Sequence, residues 1–147
     1  MDLAVAPRWT VSLRQGEVLD DVPDYVKVGV GAAKCGGVER RGLSAHPPDG
    51  GITAIWLPMT LGPGPAWLRT WVGLRDGSTS AGVLFRGEVN GQEIVSRSML
   101  PGSWERLEVD LARWRGQPVV RGLVTDADGS HSFDWAWWGE PRLEAGK

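Results

Sequence analysis

The chain has 147 residues, of which 41% are hydrophobic and 23% charged, with a formal charge of −2. A chain this long buries roughly two thirds of its unfolded surface, so we expect a single domain over residues 1–147 that needs no metal or disulfide staple. The near-neutral charge argues against a nucleic-acid partner, and no apolar run approaches the roughly 20 residues of a membrane-spanning helix.

Nine Trp against one Tyr and two Phe are the outlier. Each indole has a large apolar area and one N–H donor to place, so this excess asks for a use in the core or on a binding surface. The first ten residues lack a basic segment followed by an apolar one, so no signal peptide is expected in them. Both a cytoplasmic protein and a domain of a longer exported one remain open.

In chain order, strands are expected at 9–13, 25–30 and 52–59. Cys35, the one cysteine, reads as a small buried hydrophobe. His46 stands before Pro47 and Pro48 in a rigid turn, where its ring would bond a backbone carbonyl or a ligand hydroxyl. Leu68, Thr70, Val72 and Leu74 then alternate with Trp67, Arg69, Trp71 and Gly73. Val83, Phe85, Gly87 and Val89 alternate with Leu84, Arg86 and Glu88. Asn90-Gly91 closes that strand into 92–97 as a two-residue hairpin.

Leu107, Val109 and Leu111 alternate with Arg106, Glu108 and Asp110, and Asp110 opens at most one helical turn over 110–115. Val120, Gly122 and Val124 alternate with Val119, Arg121 and Leu123. A terminal strand carries Trp135 and Trp138. Turn signals separate these segments at intervals of about 8–14 residues, and one-sided alternation buries one face of each sheet. The expected fold is all-β, an antiparallel β-sandwich of jelly-roll type.

Asp126, Asp128, Gly129 and Asp134 form a D-x-D-G-x-x-x-x-D pattern. Closely spaced carboxylates beside a Gly turn are calcium-ligand chemistry, although a third ligating position and a closing Glu are missing. Capping of the backbone by the two turn Asp is the simpler reading. Glu88 and Glu108 would suit a paired-carboxylate glycosidase if they faced the same side of neighbouring strands. Their alternation with Arg86 and Arg106 reads more simply as cross-strand ion pairing. No Gly-x-Ser-x-Gly or His-Glu-x-x-His motif is present.

Several motifs occur in an order that resembles a known family. They are Gly42-Leu43-Ser44-Ala45-His46-Pro47-Pro48, Trp71-Val72-Gly73-Leu74-Arg75-Asp76-Gly77, and Gly82-Val83-Leu84-Phe85 continuing to Asn90-Gly91. Trp104 to Leu111, Val124-Thr125-Asp126, Asp134-Trp135-Ala136 and Pro141-Arg142-Leu143 follow. Together, over about residues 38–143, they resemble the NPCBM family of carbohydrate-binding modules within the galactose-binding-like β-sandwich group. Arg40 and Arg41 stand where that family has an aromatic residue and a Lys.

The resemblance implies a non-catalytic sandwich that binds a glycan, often within a larger glycan-active protein, and it adds weight to a structural calcium at Asp126, Asp128 and Asp134. Indole faces stack on sugar C–H faces while polar neighbours bond the hydroxyls. Trp71 and Trp137, opposite the apolar face of their strands, are the expected platforms, with Trp67 and Trp114 in or beside loops. Trp9, Trp56, Trp104, Trp135 and Trp138 are expected to pack. His46, Arg41, Arg69, Arg86 and Arg121 are the expected hydroxyl contacts. A dimerisation or protein-interaction surface built from the same Trp and Arg residues is the second reading, and a glycosidase the third.

Overall fold

The computed structural model describes residues 28–48, 51–64, 66–127 and 135–144, together with the backbone of 8–13. In chain order the strands are β1 (Arg8–Leu13), β2 (Gly29–Cys35), β3 (Val38–Ser44), β4 (Gly51–Thr60), β5 (Trp67–Leu74), β6 (Val83–Val89), β7 (Gln92–Met99), β8 (Glu105–Asp110), β9 (Pro118–Asp126) and β10 (Ala136–Glu144). They form two five-stranded sheets, ordered β1-β4-β9-β6-β7 and β2-β3-β10-β5-β8. Each described pairing is antiparallel. This is the β-sandwich that the alternation predicts.

The period-two faces decide what lies between the sheets. Val83, Phe85 and Val89 of β6 point inward with Leu68, Val72 and Leu74 of β5, all nearly inaccessible to water. Phe85 and Trp138 meet edge-on across the gap, with ring centroids 5.3 Å apart and an interplanar angle of 74°. That geometry places a positive ring edge against a π face.

The Asn90-Gly91 hairpin forms as expected. Both residues take left-handed φ, 52° and 80°, which the two-residue type I′ turn requires. Asn90 Oδ1 also accepts the Val120 N–H at 2.9 Å, tying the turn to β9. Ala112–Trp114 is a single 3-10 turn, whose Ala112 N–H donates to Asp110 Oδ1 at 2.9 Å.

One expectation is extended and another corrected. Of the strand expected at 25–30, positions 29 and 30 open β2, which runs on to Cys35, and 25–27 lie outside the described residues. The continuation through Gly31, Ala32 and Ala33 carries no strong apolar alternation to mark it. Arg121 was expected on an outward strand face. It points between the sheets with Val119 and Leu123 and is 1% exposed, and burial pushes its guanidinium down to about 10.

β10 carries one extra residue. Gly139 pairs with Trp71 and Arg142 with Arg69, so Glu140 and Pro141 of β10 stand opposite Thr70 alone on β5. Glu140, within this bulge, takes a left-handed φ of 43°.

Candidate functional site

The outer face of the second sheet gathers most of the chemistry. On β5 the residues opposite the core are Trp67, Arg69, Trp71 and Gly73, and β10 adds Trp137 and Gly139. Glycine at 73 and 139 leaves the backbone bare, and Trp104, from just before β8, lies over both. A Cβ on Gly73 would come within 3.0 Å of Trp104 Cε3, and one on Gly139 within 3.0 Å of its Cζ3. Trp104 therefore ends 8% exposed on the outside of a sheet, inside a second apolar cluster with Ala33, Cys35, Trp71 and Trp137.

The β2–β3 hairpin closes this cluster. β3 pairs with β10 only through Gly42, Leu43 and Ser44. Beyond that rung the hairpin runs across the outer face of β5 and β10. Cys35 Sγ would lie 2.9 Å from a Cβ on Gly73, and Trp137 packs against Gly31.

Polar clips hold the tip. Asp76 accepts the N–H groups of Gly36 and Gly37 at 2.7 and 2.9 Å. Its own N–H donates to the Lys34 carbonyl at 2.7 Å, and Trp104 Nε1 donates to the Val38 carbonyl at 2.8 Å. Gly36 and Gly37 are needed here because both take left-handed φ, 59° and 79°. Burial of Cys35, 0% exposed, pushes its thiol up to about 12; the Asp76 charge adds to the rise and Arg40 opposes it.

Guanidinium groups lie over the indoles. Arg40 stacks 3.8 Å above the Trp71 ring, and Arg106 approaches the same ring at 5.9 Å. Arg40 is held by Glu140 at 2.7 Å, which also meets Arg142 at 3.1 Å. Arg69 lies 5.3 Å from the Trp67 ring and bonds Glu144 at 3.0 Å, with Glu108 at 3.8 Å. Donors for hydroxyl oxygens thus stand beside aromatic faces, each cation balanced by a carboxylate.

The expected site residues distribute unevenly. Trp67, Trp71, Arg69 and Trp137 share this face; the Trp among them are half-buried, while Arg69, expected as a hydroxyl contact, is 6% exposed and engaged by Glu144 and Glu108. Trp114 is 8% exposed and belongs to the inter-sheet core. His46 is 7% exposed; its Nδ1 lies 2.7 Å from the Pro47 carbonyl, so it serves the turn. Arg41 is exposed on β3.

Arg86 lies on the other sheet's outer face, within 3.4 Å of Asp126 and 3.9 Å of both Glu88 and Glu93. Of the residues weighed as calcium ligands, Asp128 and Asp134 lie outside the described residues, and Asp126 faces Arg86. Among the described residues, no group of three His, Cys, Asp or Glu side chains is placed to hold a metal. Of the Trp expected to pack, Trp138 and Trp104 are buried, Trp56 and Trp135 are half-buried, and the side chain of Trp9 lies outside the described residues.

Sequence reasoning missed Arg40, Asp76 and the Trp104 cluster. Glycine at alternate positions opposite core residues, as at 73 and 139, was the available signal that something packs on the outer face.

No family model matches the chain. An uncharacterised protein of Archaeoglobus fulgidus is 42% identical over 43 residues, which is 28% of this chain; the match spans 11% of that relative's length. Among solved structures, the tandem CBM51 modules of a family 98 glycoside hydrolase from Streptococcus pneumoniae superpose with a TM-score of 0.66 at 10% identity, over 95% of this chain and 46% of that one. A CBM51 from the Clostridium perfringens GH95 protein, in complex with methyl-galactose, gives 0.60 at 16% identity, over 92% and 99% of the two chains. The CBM51-2 and INT domains of Clostridium perfringens ZmpB, in complex with GlcNAc, give 0.57 at 20% identity, over 80% of this chain and 27% of that one. The chain has the β-sandwich fold of these carbohydrate-binding modules, as the ordered motifs of 38–143 anticipate.

Proposed function

We propose that the chain is a non-catalytic carbohydrate-binding module, acting as a part of a larger protein. The observation that carries this reading is the shared outer face: on a fold used by carbohydrate-binding modules, Trp71 and Trp137 are half-buried in one cluster, with Arg40 and Arg106 over the Trp71 ring. Part of each indole remains for the C–H face of a sugar ring, and the guanidinium N–H groups donate to its hydroxyls. The balancing Glu108, Glu140 and Glu144 fit an uncharged ring.

A hydrolytic reading is disfavoured by the placement of the paired carboxylates. Glu88 belongs to β6 in the first sheet and Glu108 to β8 in the second, so they do not flank one substrate. Burial raises the Glu88 carboxyl, while Arg86 beside it acts the other way. Glu108 lies 3.1 Å from Arg106.

A glycan array followed by calorimetry with the responding sugar tests the proposal. Trp71→Ala with Trp137→Ala should weaken binding about tenfold or more, since aromatic contacts of this kind contribute about 1 kcal/mol each beyond buried area. Binding that survives the double variant would remove this face from the mechanism, and a blank array would remove the function.

A further inference from the structure

The β2–β3 hairpin has the build of a hinged strap. Gly31 and Gly42 face each other across one rung. A Cβ on Gly42 would overlap the Trp138 carbonyl oxygen, and one on Gly31 would meet Trp137 in ordinary contact at 3.4 Å. Both strands lack side chains at this rung, which is also the last at which β3 pairs with β10.

On one side of this rung, Leu43 and Ser44 continue the sheet beside Trp138 and Trp137. On the other side, residues 32–41 pair only with each other in the described ladders. A two-stranded ribbon is marginal without support. Support here comes from two small side chains, Ala33 and Cys35, from Arg40 stacked on Trp71, from Gly36 set close against Gly102 and Ser103, and from the clips to Asp76, Trp104 and Glu140. The Asp76 bonds to Gly36 and Gly37 are solvent-exposed, so water competes for them. Ladder pairing confined to the hairpin itself and exposed hydrogen bonds at its tip mark a unit that opens below the cost of global unfolding.

We propose that residues 32–41 swing open about the Gly31–Gly42 rung and uncover Trp71, Trp104 and Trp137 together as a continuous indole floor for a sugar ring. The motion rests on the contacts above, and the ligand class rests on the carbohydrate reading. In the closed form Trp104 is covered, so a ring that stacks on it binds the open form alone and shifts the population toward it.

Cys35 reports the motion. It is the one thiol of the chain, it sits under the strap, and in the closed form its burial keeps it protonated and unreactive. Labelling with Ellman's reagent is measured against urea and compared with global unfolding followed by far-UV circular dichroism. The expected result is labelling in native buffer at least about tenfold faster than global unfolding permits, with a clearly smaller urea slope. Asp76→Ala, which removes two clips, should raise that rate about tenfold and lower global stability by the equivalent of about 1.4 kcal/mol, while labelling keeps its smaller urea slope.

Labelling of the wild-type protein that carries the full urea slope of unfolding would overturn the proposal without recourse to any variant. Methyl-galactoside and N-acetylglucosamine are then added at saturating concentration, with calorimetry in parallel. Binding with faster labelling supports the gate, and binding with unchanged labelling overturns it. Absence of binding to any sugar counts against the carbohydrate reading alone, because the labelling in its absence has already decided the motion.

Discussion

Replacing Trp104 with Ala decides whether the outer cluster is a second core or a surface. The indole is 8% exposed, so nearly all of its side-chain area is withdrawn from water. At roughly 200 Å² and 25 cal/mol per Å², that burial is worth about 5 kcal/mol, and large-to-small changes at aromatic core sites cost about 3–5 kcal/mol. The bond from Nε1 to the Val38 carbonyl adds about 1 kcal/mol.

Partial collapse of the strap onto Gly73 and Gly139 would recover some of this, so the expected loss is about 3–4 kcal/mol. Urea unfolding followed by far-UV circular dichroism measures it without relying on the altered Trp fluorescence. Trp104→Phe, which keeps most of the apolar area but loses the donor, should cost about 1–2 kcal/mol. A loss below about 1 kcal/mol for Trp104→Ala would refute the packing argument, since surface substitutions away from such features stay near ±0.5 kcal/mol.

Further expectations concern the elements around this cluster. Arg40→Ala removes a guanidinium from the Trp71 face and the bond to Glu140, and should cost about 1 kcal/mol in urea unfolding. Asn90→Ala should cost about 1 kcal/mol, because Ala resists the left-handed φ and leaves the Val120 N–H without its acceptor. The Cys35 thiol, raised to about 12 in the folded chain, holds its proton where the unfolded thiol has lost it. Stability should therefore be full below about pH 8.5 and fall as pH rises from there toward 12, by at most about 1.4 kcal/mol per pH unit. The difference between wild type and Cys35→Ala across that window isolates the effect, and equal slopes for the two proteins would refute it.

The legible parts of the sequence were those where a single face is apolar. Val83, Phe85 and Val89 against Leu84, Arg86 and Glu88 fix which side of β6 is buried, and Asn90-Gly91 fixes where it turns. Val119 to Val124 are apolar on both faces, so the outward direction expected for Arg121 had no apolar contrast behind it. The strap was hidden for a different reason. Gly31, Ala33 and Cys35 are too small to mark a face, and the charged run Glu39, Arg40 and Arg41 carries no apolar alternation.

For the site, alternation placed Trp71 and Trp137 opposite the core but said nothing of what lies on them. Long-range packing supplies that layer: the hairpin of 29–44 lies on strands more than 20 positions away.

The extra residue in β10 keeps the alternation consistent across a change of phase. Ala136 and Trp138 face the core at even positions, while Leu143 packs toward it from an odd one. Without the bulge, an unbroken ladder would aim Arg142 and Glu144 into the sandwich. The inserted Glu140 absorbs the half-period and presents its carboxylate to Arg40. A variant one residue shorter, lacking Glu140, would restore a regular strand with the same inward side chains and lose the anion that steadies the guanidinium on Trp71. Deletion at this one position would thus separate the inward packing of β10 from the Arg40–Trp71 stack.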